Sequence, residues 1–410
     1  MAKVAVIGSG ISGLTCAYLL RNNHEITLFE KNDYLGGHTH THEIEIDDLK
    51  TTVDTGFIVY NDRTYPNFMK LLRELDCTGV PTQMSFSLRD EAADLEYNGH
   101  NLDSLFAQRR NIFRPSFWFM IRDILRFNKM ARTIDPGELS LDEFISYHGF
   151  SKIFATRYLY PMAAAIWSTG DEAIGQFPIR SLIDFFINHG LVDLKNRPQW
   201  YVVEGGSNQY VKAMLPQLKD IRLSTEVKRI VRSVSNVLIE TEAKTETFDE
   251  VILACHSDEA LQLIADPTLE EQQILSTMRF SSNKAYLHTD RSRLPNRPKA
   301  WASWNYSIPQ NKTADQARLT YNMNILQHIP TSTQVLVTLN DPDIKPDRII
   351  KTIDYSHPFY DAQMIKAQHR HGEISARNRT HYCGAYWHFG FHEDGVKSAL
   401  RVCESFGVKW

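Results

Sequence analysis

The apolar positions of this chain fall into short blocks whose spacing shifts between strand and helix. Val4 to Ile7 is a β-branched run, Leu14 to about Asn22 has helical spacing, and Ile26 to Phe29 is a second apolar run ending on Glu30. That order predicts a βαβ unit. Residues 51–60 read as a strand and turn, 64–76 as a helix, and 84–98 as strands. A turn is expected at Asn98-Gly99, a dipeptide that favours tight hairpins. Residues 101–193 are mostly helical in pattern and rich in aromatics. Mixed texture returns at 200–240, and 249–264 reads as a buried strand entering a helix. Residues 283–290 and 316–340 are strand-like, and Asp341 to Asp347 reads as a solvated turn. The tail from 380 reads as a strand, a glycine turn and a last helix from about Gly395 to Glu404. The blocks predict an interleaved α/β chain of two domains. One takes 1–75, 195–282 and 375–410; the other, α+β in texture, takes 76–194 and 283–374. A length of 410 residues exceeds one ordinary core.

Between the first strand and helix stands Gly8-Ser9-Gly10-Ile11-Ser12-Gly13. In such a unit the first glycine permits a tight turn, the second lets backbone approach a pyrophosphate, and the third lets helix pack on strand. The helix N-terminus offers free N–H groups to phosphate. Glu30, placed 17 residues after Gly13, suits a ribose diol. A dinucleotide site follows. The continuation from Lys31 to Gly36, Gly37 and His38 resembles the extension found in flavoproteins of the glutathione-reductase-like superfamily, which implies FAD. No second such glycine motif occurs. Electrons are therefore expected to leave for oxygen or another acceptor, or not to leave at all.

Composition narrows the class. With 42% hydrophobic residues, 23% charged residues and a net charge of −4, the chain reads as globular, and nucleic acid is not an expected partner. Cys16, Cys77, Cys255, Cys383 and Cys403 are scattered without a CxxC pair, so neither disulfides nor a redox dithiol is expected. No apolar stretch reaches the ~20 residues a membrane span needs. With a strand at residue 3, no cleavable leader is expected, and the expected location is cytoplasmic.

With its tail included, the chain resembles the FAD-dependent amine oxidase and phytoene desaturase superfamily. Within it, the similarity is to bacterial NAD/FAD-binding flavoproteins grouped with cyclopropane-fatty-acid-synthase-like methyltransferases. The segments that carry it are 53–68, 161–169, 202–211, 248–261, 300–306 and 382–402. The resemblance implies a Rossmann-like FAD domain of glutathione-reductase type with an interleaved amine-oxidase-like substrate domain. It implies that Gly8, Ser9, Gly10, Ile11, Ser12 and Gly13 hold the pyrophosphate, with Glu30 and Lys31 at the adenosine ribose. Gly36, Gly37 and His38 would follow the ribityl side, His38 standing where amine oxidases commonly have Arg. Thr55, Gly56, Phe57 and Ile58 would pass the isoalloxazine ring, Val227 would pair with adenine, and Gly384 would lie near pyrophosphate. Glu393, Asp394, Gly395 and Val396 would form the turn and helix start at the flavin pyrimidine, where a first turn with few charges suits an anionic ring. No Cys or His matches a known tether, so FAD is expected to be noncovalent.

Candidate chemistry is sparse. His38, His40 and His42 alternate, but a polar strand edge beside the cofactor explains them better than a metal site. No metal is expected. Tyr386, His388 and His392 lie beside the expected flavin turn and are the candidate catalytic groups, His388 and His392 as acid or base. Residues 109–132 carry Arg109, Arg110, Arg114, Arg122, Arg126, Lys129 and Arg132 against Asp123 alone. Phe117, Met120, Ile121, Ile124 and Leu125 share one face, and Trp118, Phe119 and Phe127 add bulk. This composition suits a helix (113–132) lying on an anionic membrane, peripheral on its inner face, or else a helix covering the substrate domain. Together with 183–192, it favours a long acyl substrate. The expected reaction is desaturation of an unsaturated phospholipid acyl chain. Amine oxidation, redox-neutral double-bond isomerisation, and delivery of lipid to a methyltransferase partner are the alternatives.

Overall fold

The computed structural model describes residues 1–167, 174–193, 195–310 and 318–410. Ser168 and Thr169 of the 161–169 segment, and residues 316–317 of the expected strand region, lie outside these.

A five-stranded parallel sheet organises the cofactor side. Its order is Asp220–Arg222, Glu25–Phe29, Lys3–Ile7, Glu250–Leu253 and Thr380–Tyr382. Successive strand residues point to opposite faces. Val4, Val6, Ile26, Leu28 and Ile252 therefore pack on the helices Ile11–Leu20 and His392–Ser405. Ala5, Ile7, Phe29, Val251 and Leu253 pack on the opposite side, with a three-stranded antiparallel sheet whose core is Ile230, Val237 and Ile239. The sheet is buried on both faces, as parallel sheets are.

A seven-stranded sheet forms the second body. Its order is Ile349–Pro358, Phe280–His288, Leu336–Leu339, Arg318–Asn322, Trp304–Ile308, Phe86–Asp90 and Leu95–Asn98. All pairs are antiparallel except Trp304–Ile308 with Phe86–Asp90. Strand Phe280–His288 lies wholly in this sheet, so the boundary expected at 282 falls inside a strand. The short strands Tyr60–Asn61, Trp200–Val203 and Gly79–Thr82 join the two bodies. Helices Pro115–Ala131, Leu141–Tyr147 and Ile179–Asn188 complete an aromatic layer.

Several expectations shift. The first helix starts at Ile11, and the last starts at His392, three residues before Gly395. The hairpin turn is at 91–94, with Asp94 at φ 43, and not at Asn98-Gly99. Asn98 instead ends its strand, and Asn101 caps the short helix Leu102–Leu105. Asp341 is no solvated turn residue: it is buried and paired with Arg293 and Arg318. In helix Pro115–Ala131 the regular stripe of Phe117, Met120 and Phe127 faces the core, while Trp118, Phe119 and Leu125 face solvent.

Candidate active site

The glycine motif behaves mechanically. Gly8 has φ +101, and its N–H donates to Phe29 C=O at 2.8 Å. A Cβ on Gly13 would lie 2.0 Å from Gly8 C=O, so only glycine lets the helix sit this close. A Cβ on Gly10 would meet nothing within 4 Å; that space opens into the cavity. Gly36 bridges to Gly10, and a Cβ on Gly37 would stand 3.3 Å from Gly10 Cα. Glu30 locks the turn: one carboxylate oxygen accepts from Ser9 N–H at 2.9 Å and Ser9 O–H at 2.6 Å, the other from Asn32 N–H at 2.9 Å. Lys31 pairs with Glu259.

A cavity of about 1230 Å³ runs from this cradle into the seven-stranded sheet and the helical layer. Of the expected cofactor residues it brings together Gly8, Ser9, Gly10, Ile11, Ser12, Glu30, Lys31, Gly36, Gly37, His38, Thr55, Gly56, Phe57, Ile58, Val227 and Gly384. Gly13 supports them from behind. Glu393, Asp394, Gly395 and Val396 do not line the cavity. Glu393 accepts from Phe68 N–H at 2.9 Å and Asn67 Nδ2 at 2.7 Å, capping helix Pro66–Glu74, and Asp394 accepts from Phe391 N–H at 3.0 Å. Both acids fall in the first turn of the last helix, where few charges are expected. Burial raises both carboxyls, Asp394 to about 6.

Of the three catalytic candidates, Tyr386 and His392 line the cavity and His388 does not. Phe57 stacks on His392 with ring centroids 3.4 Å apart. Thr39 Oγ1 lies 3.0 Å and Tyr210 OH 3.2 Å from His392 Nε2. Burial pushes His392 down to about 3, and burial with nearby cations pushes His388 to about 4. Both rings are therefore neutral near pH 7. The His38–His40–His42 run also departs from a shared strand face, because the strand begins at Thr41. His38 is within the cavity wall, its ring 4.9 Å from Tyr355 and 5.3 Å from His357. Among the described residues no three His, Cys, Asp or Glu side chains are placed to hold a metal ion.

The sequence reading missed Tyr355, His357 and Tyr360, which line the cavity from the far strand and the loop after it. His38 Nε2, His357 Nδ1 and Tyr360 OH are buried without a protein partner. Burial lowers His38 well below its ordinary value and His357 to about 4. The alternating Tyr355-Ser-His357 was the available signal, but nothing local ties it to the glycine motif, which lies more than 300 residues earlier.

The profile of the family described as "Flavin containing amine oxidoreductase" matches residues 11–343. The chain belongs to that family. It is similar to the 4,4'-diapophytoene desaturase (4,4'-diaponeurosporene-forming) of Staphylococcus aureus, 23% identical over 193 residues, which is 38% of each protein. The chain thus spans well under half of that relative's length. The CLA-producing fatty acid isomerase from P. acnes has a similar fold, with TM-score 0.69 and 14% identity, covering 99% of this chain and 98% of that one. Cyclohexylamine oxidase from Brevibacterium oxydans has TM-score 0.69 and 13% identity over 99% of both chains.

As a member of this family the chain is an FAD-dependent oxidoreductase, and its residues fit the cofactor. The open space beside Gly10, the close approach of Gly37 and the unpartnered His38 Nε2 all face one cavity. Ser9 to Ser12 with Gly36 and Gly37 would hold the pyrophosphate; Glu30, Lys31 and Val227 would hold the adenosine. Cys383 is buried beside Cys16 at 3.9 Å and does not line the cavity.

Proposed function

We propose that the protein oxidises the hydrocarbon chain of an amphiphilic lipid, removing hydrogen to form or extend unsaturation. The observation that carries this is the lining of the cavity beyond the cofactor cradle. Its walls there are Tyr97, Tyr158, Met162, Phe185, Trp304 and Tyr321, among others. The lining carboxylates Glu30, Glu226 and Glu259 lie at the adenosine end, and Asp354 is exposed and pairs with Lys284. Desolvating an alkylammonium in an arm that, among the described residues, has no facing carboxylate is costly, whereas an acyl chain gains from the same burial. Bound FAD supplies a two-electron hydride acceptor. The chain's own part is to orient the substrate against aromatic walls and to exclude water.

A second reading, double-bond isomerisation, is favoured by the single dinucleotide motif, since a reaction without net oxidation needs no electron outlet. Anaerobic absorbance of the flavoprotein with unsaturated phospholipid separates the two. Loss of the visible flavin band, with a product carrying one more double bond, supports oxidation. A rearranged product with an unbleached flavin supports isomerisation. Bleaching by a primary amine and not by lipid overturns both.

A further inference from the structure

The solvent-exposed large apolar side chains are unevenly distributed. Among the described residues Leu102, Ile112, Phe113, Trp118, Phe119 and Leu125 all lie within one stretch, and Phe113 is 85% exposed. The large exposed aromatics are Phe113, Trp118, Phe119 and Tyr147, all in the helical layer. Phe113, Trp118 and Phe119 belong to one segment, the approach to and first turns of helix Pro115–Ala131. Phe106, after the helix of Leu102, packs on Trp118 at 5.5 Å, and Trp118 Nε1 donates to Ile112 C=O at 2.8 Å. On the helix itself Trp118, Arg122, Leu125 and Lys129 make one outward stripe, and Arg122 sits over the Phe119 ring. Residues 101–132 hold seven basic side chains against Asp103 and Asp123, in a chain whose net charge is −4.

This segment adjoins the cavity. Exposed lining residues fall mainly into two groups: Lys31, Glu226 and Gln262 near the adenosine end, and Gln83, Gly99, His100 and Arg197 at a second mouth. His100 stands two residues before Leu102. Arg197 donates to Asp193 C=O at 2.7 Å, and Asp193 pairs with Arg132, just past the end of the basic helix. The inner side of the same helix packs Phe117 on Tyr97, a cavity wall, at 5.7 Å.

We propose that this face docks on an anionic lipid bilayer and holds the second mouth of the cavity against it, so that an acyl chain enters without crossing water. Aromatic rings and leucines partition into the headgroup region while arginines meet lipid phosphate. A strongly basic, aromatic stretch in a chain of net charge −4 is complementary to an anionic bilayer, and a protein partner is an outcome of the test. The use of the mouth rests on the acyl-chain reading above; the docking does not.

The test uses the full-length protein with its flavin, floated with phosphatidylcholine vesicles with and without phosphatidylglycerol. We expect binding to the anionic vesicles that weakens as salt rises. The Phe113→Ser/Phe119→Ser double variant should lower the partition coefficient more than about tenfold. Leu223→Ser, exposed elsewhere, should leave it unchanged. Flavin content and melting temperature report whether each variant is folded. Absence of flotation by the wild type, or equal flotation by the double variant, overturns the proposal. So does a dimer in sedimentation velocity that the double variant abolishes while no vesicle is bound. If the wild type floats but no lipid bleaches the flavin, docking stands and the acyl-chain reading fails. If detergent-dispersed lipid bleaches wild type and double variant equally and neither floats, the reverse holds.

Discussion

Gly13 has no room for a side chain, because Gly8 C=O would stand 2.0 Å from its Cβ. Gly13→Val should therefore cost about 3 kcal/mol or more and release FAD; the flavin-to-protein absorbance ratio and a thermal melt read both effects. Buried histidines govern the response to acid. Burial, with neighbouring cationic groups, holds His38 well below its ordinary value, His40, His189 and His357 near 4, and His42 and His392 near 3. The unfolded chain binds these protons first, so their contribution is full above about pH 6.5 and drains away as pH falls toward 4. Asp54 and Asp394, raised by burial to about 6, act in the opposite sense between their ordinary range and 6. The histidines outnumber them, so the melting temperature should drop between pH 7 and pH 5; a rise would overturn this account.

Single elements show how much the sequence disclosed. The first 40 residues were legible because strand, glycine turn and helix depend on neighbours within a few positions. The seven-stranded sheet was not: Phe86–Asp90 pairs with Trp304–Ile308, more than 200 residues away, and no local pattern states that register. Hydrophobic spacing located the helix Pro115–Ala131, yet spacing identifies a stripe without saying what covers it. The core took Phe117, Met120 and Phe127, while Leu125, expected on the same face, was left to solvent with Trp118 and Phe119. The start of the last helix moved for a similar reason, since its opening acids serve other partners. Glu393 caps helix Pro66–Glu74 through Asn67 and Phe68. Removing it as Glu393→Ala strands those donors and should destabilise the protein by about 1–3 kcal/mol, measured by denaturant unfolding.

At the scale of the molecule, distant segments are joined by a buried ionic knot. Arg232 makes two bonds to Glu271, at 2.6 and 2.9 Å, and Tyr382 O–H donates to the same carboxylate at 2.7 Å. This joins the antiparallel sheet, helix Leu269–Thr277 and the edge of the parallel sheet. Arg232→Met leaves Glu271 buried and uncompensated and should cost about 3–5 kcal/mol, of which Arg232→Met/Glu271→Leu should recover a large part; chemical denaturation of the three proteins decides. The parallel sheet has one more consequence. Its centre is made well before its far edge and the helix His392–Ser405 that seals the first helix. On a ribosome, the glycine cradle emerges with its apolar helix uncovered and waits for nearly four hundred further residues. Until that helix is made, the apolar face of the βαβ unit that carries the cradle has no cover from its own chain.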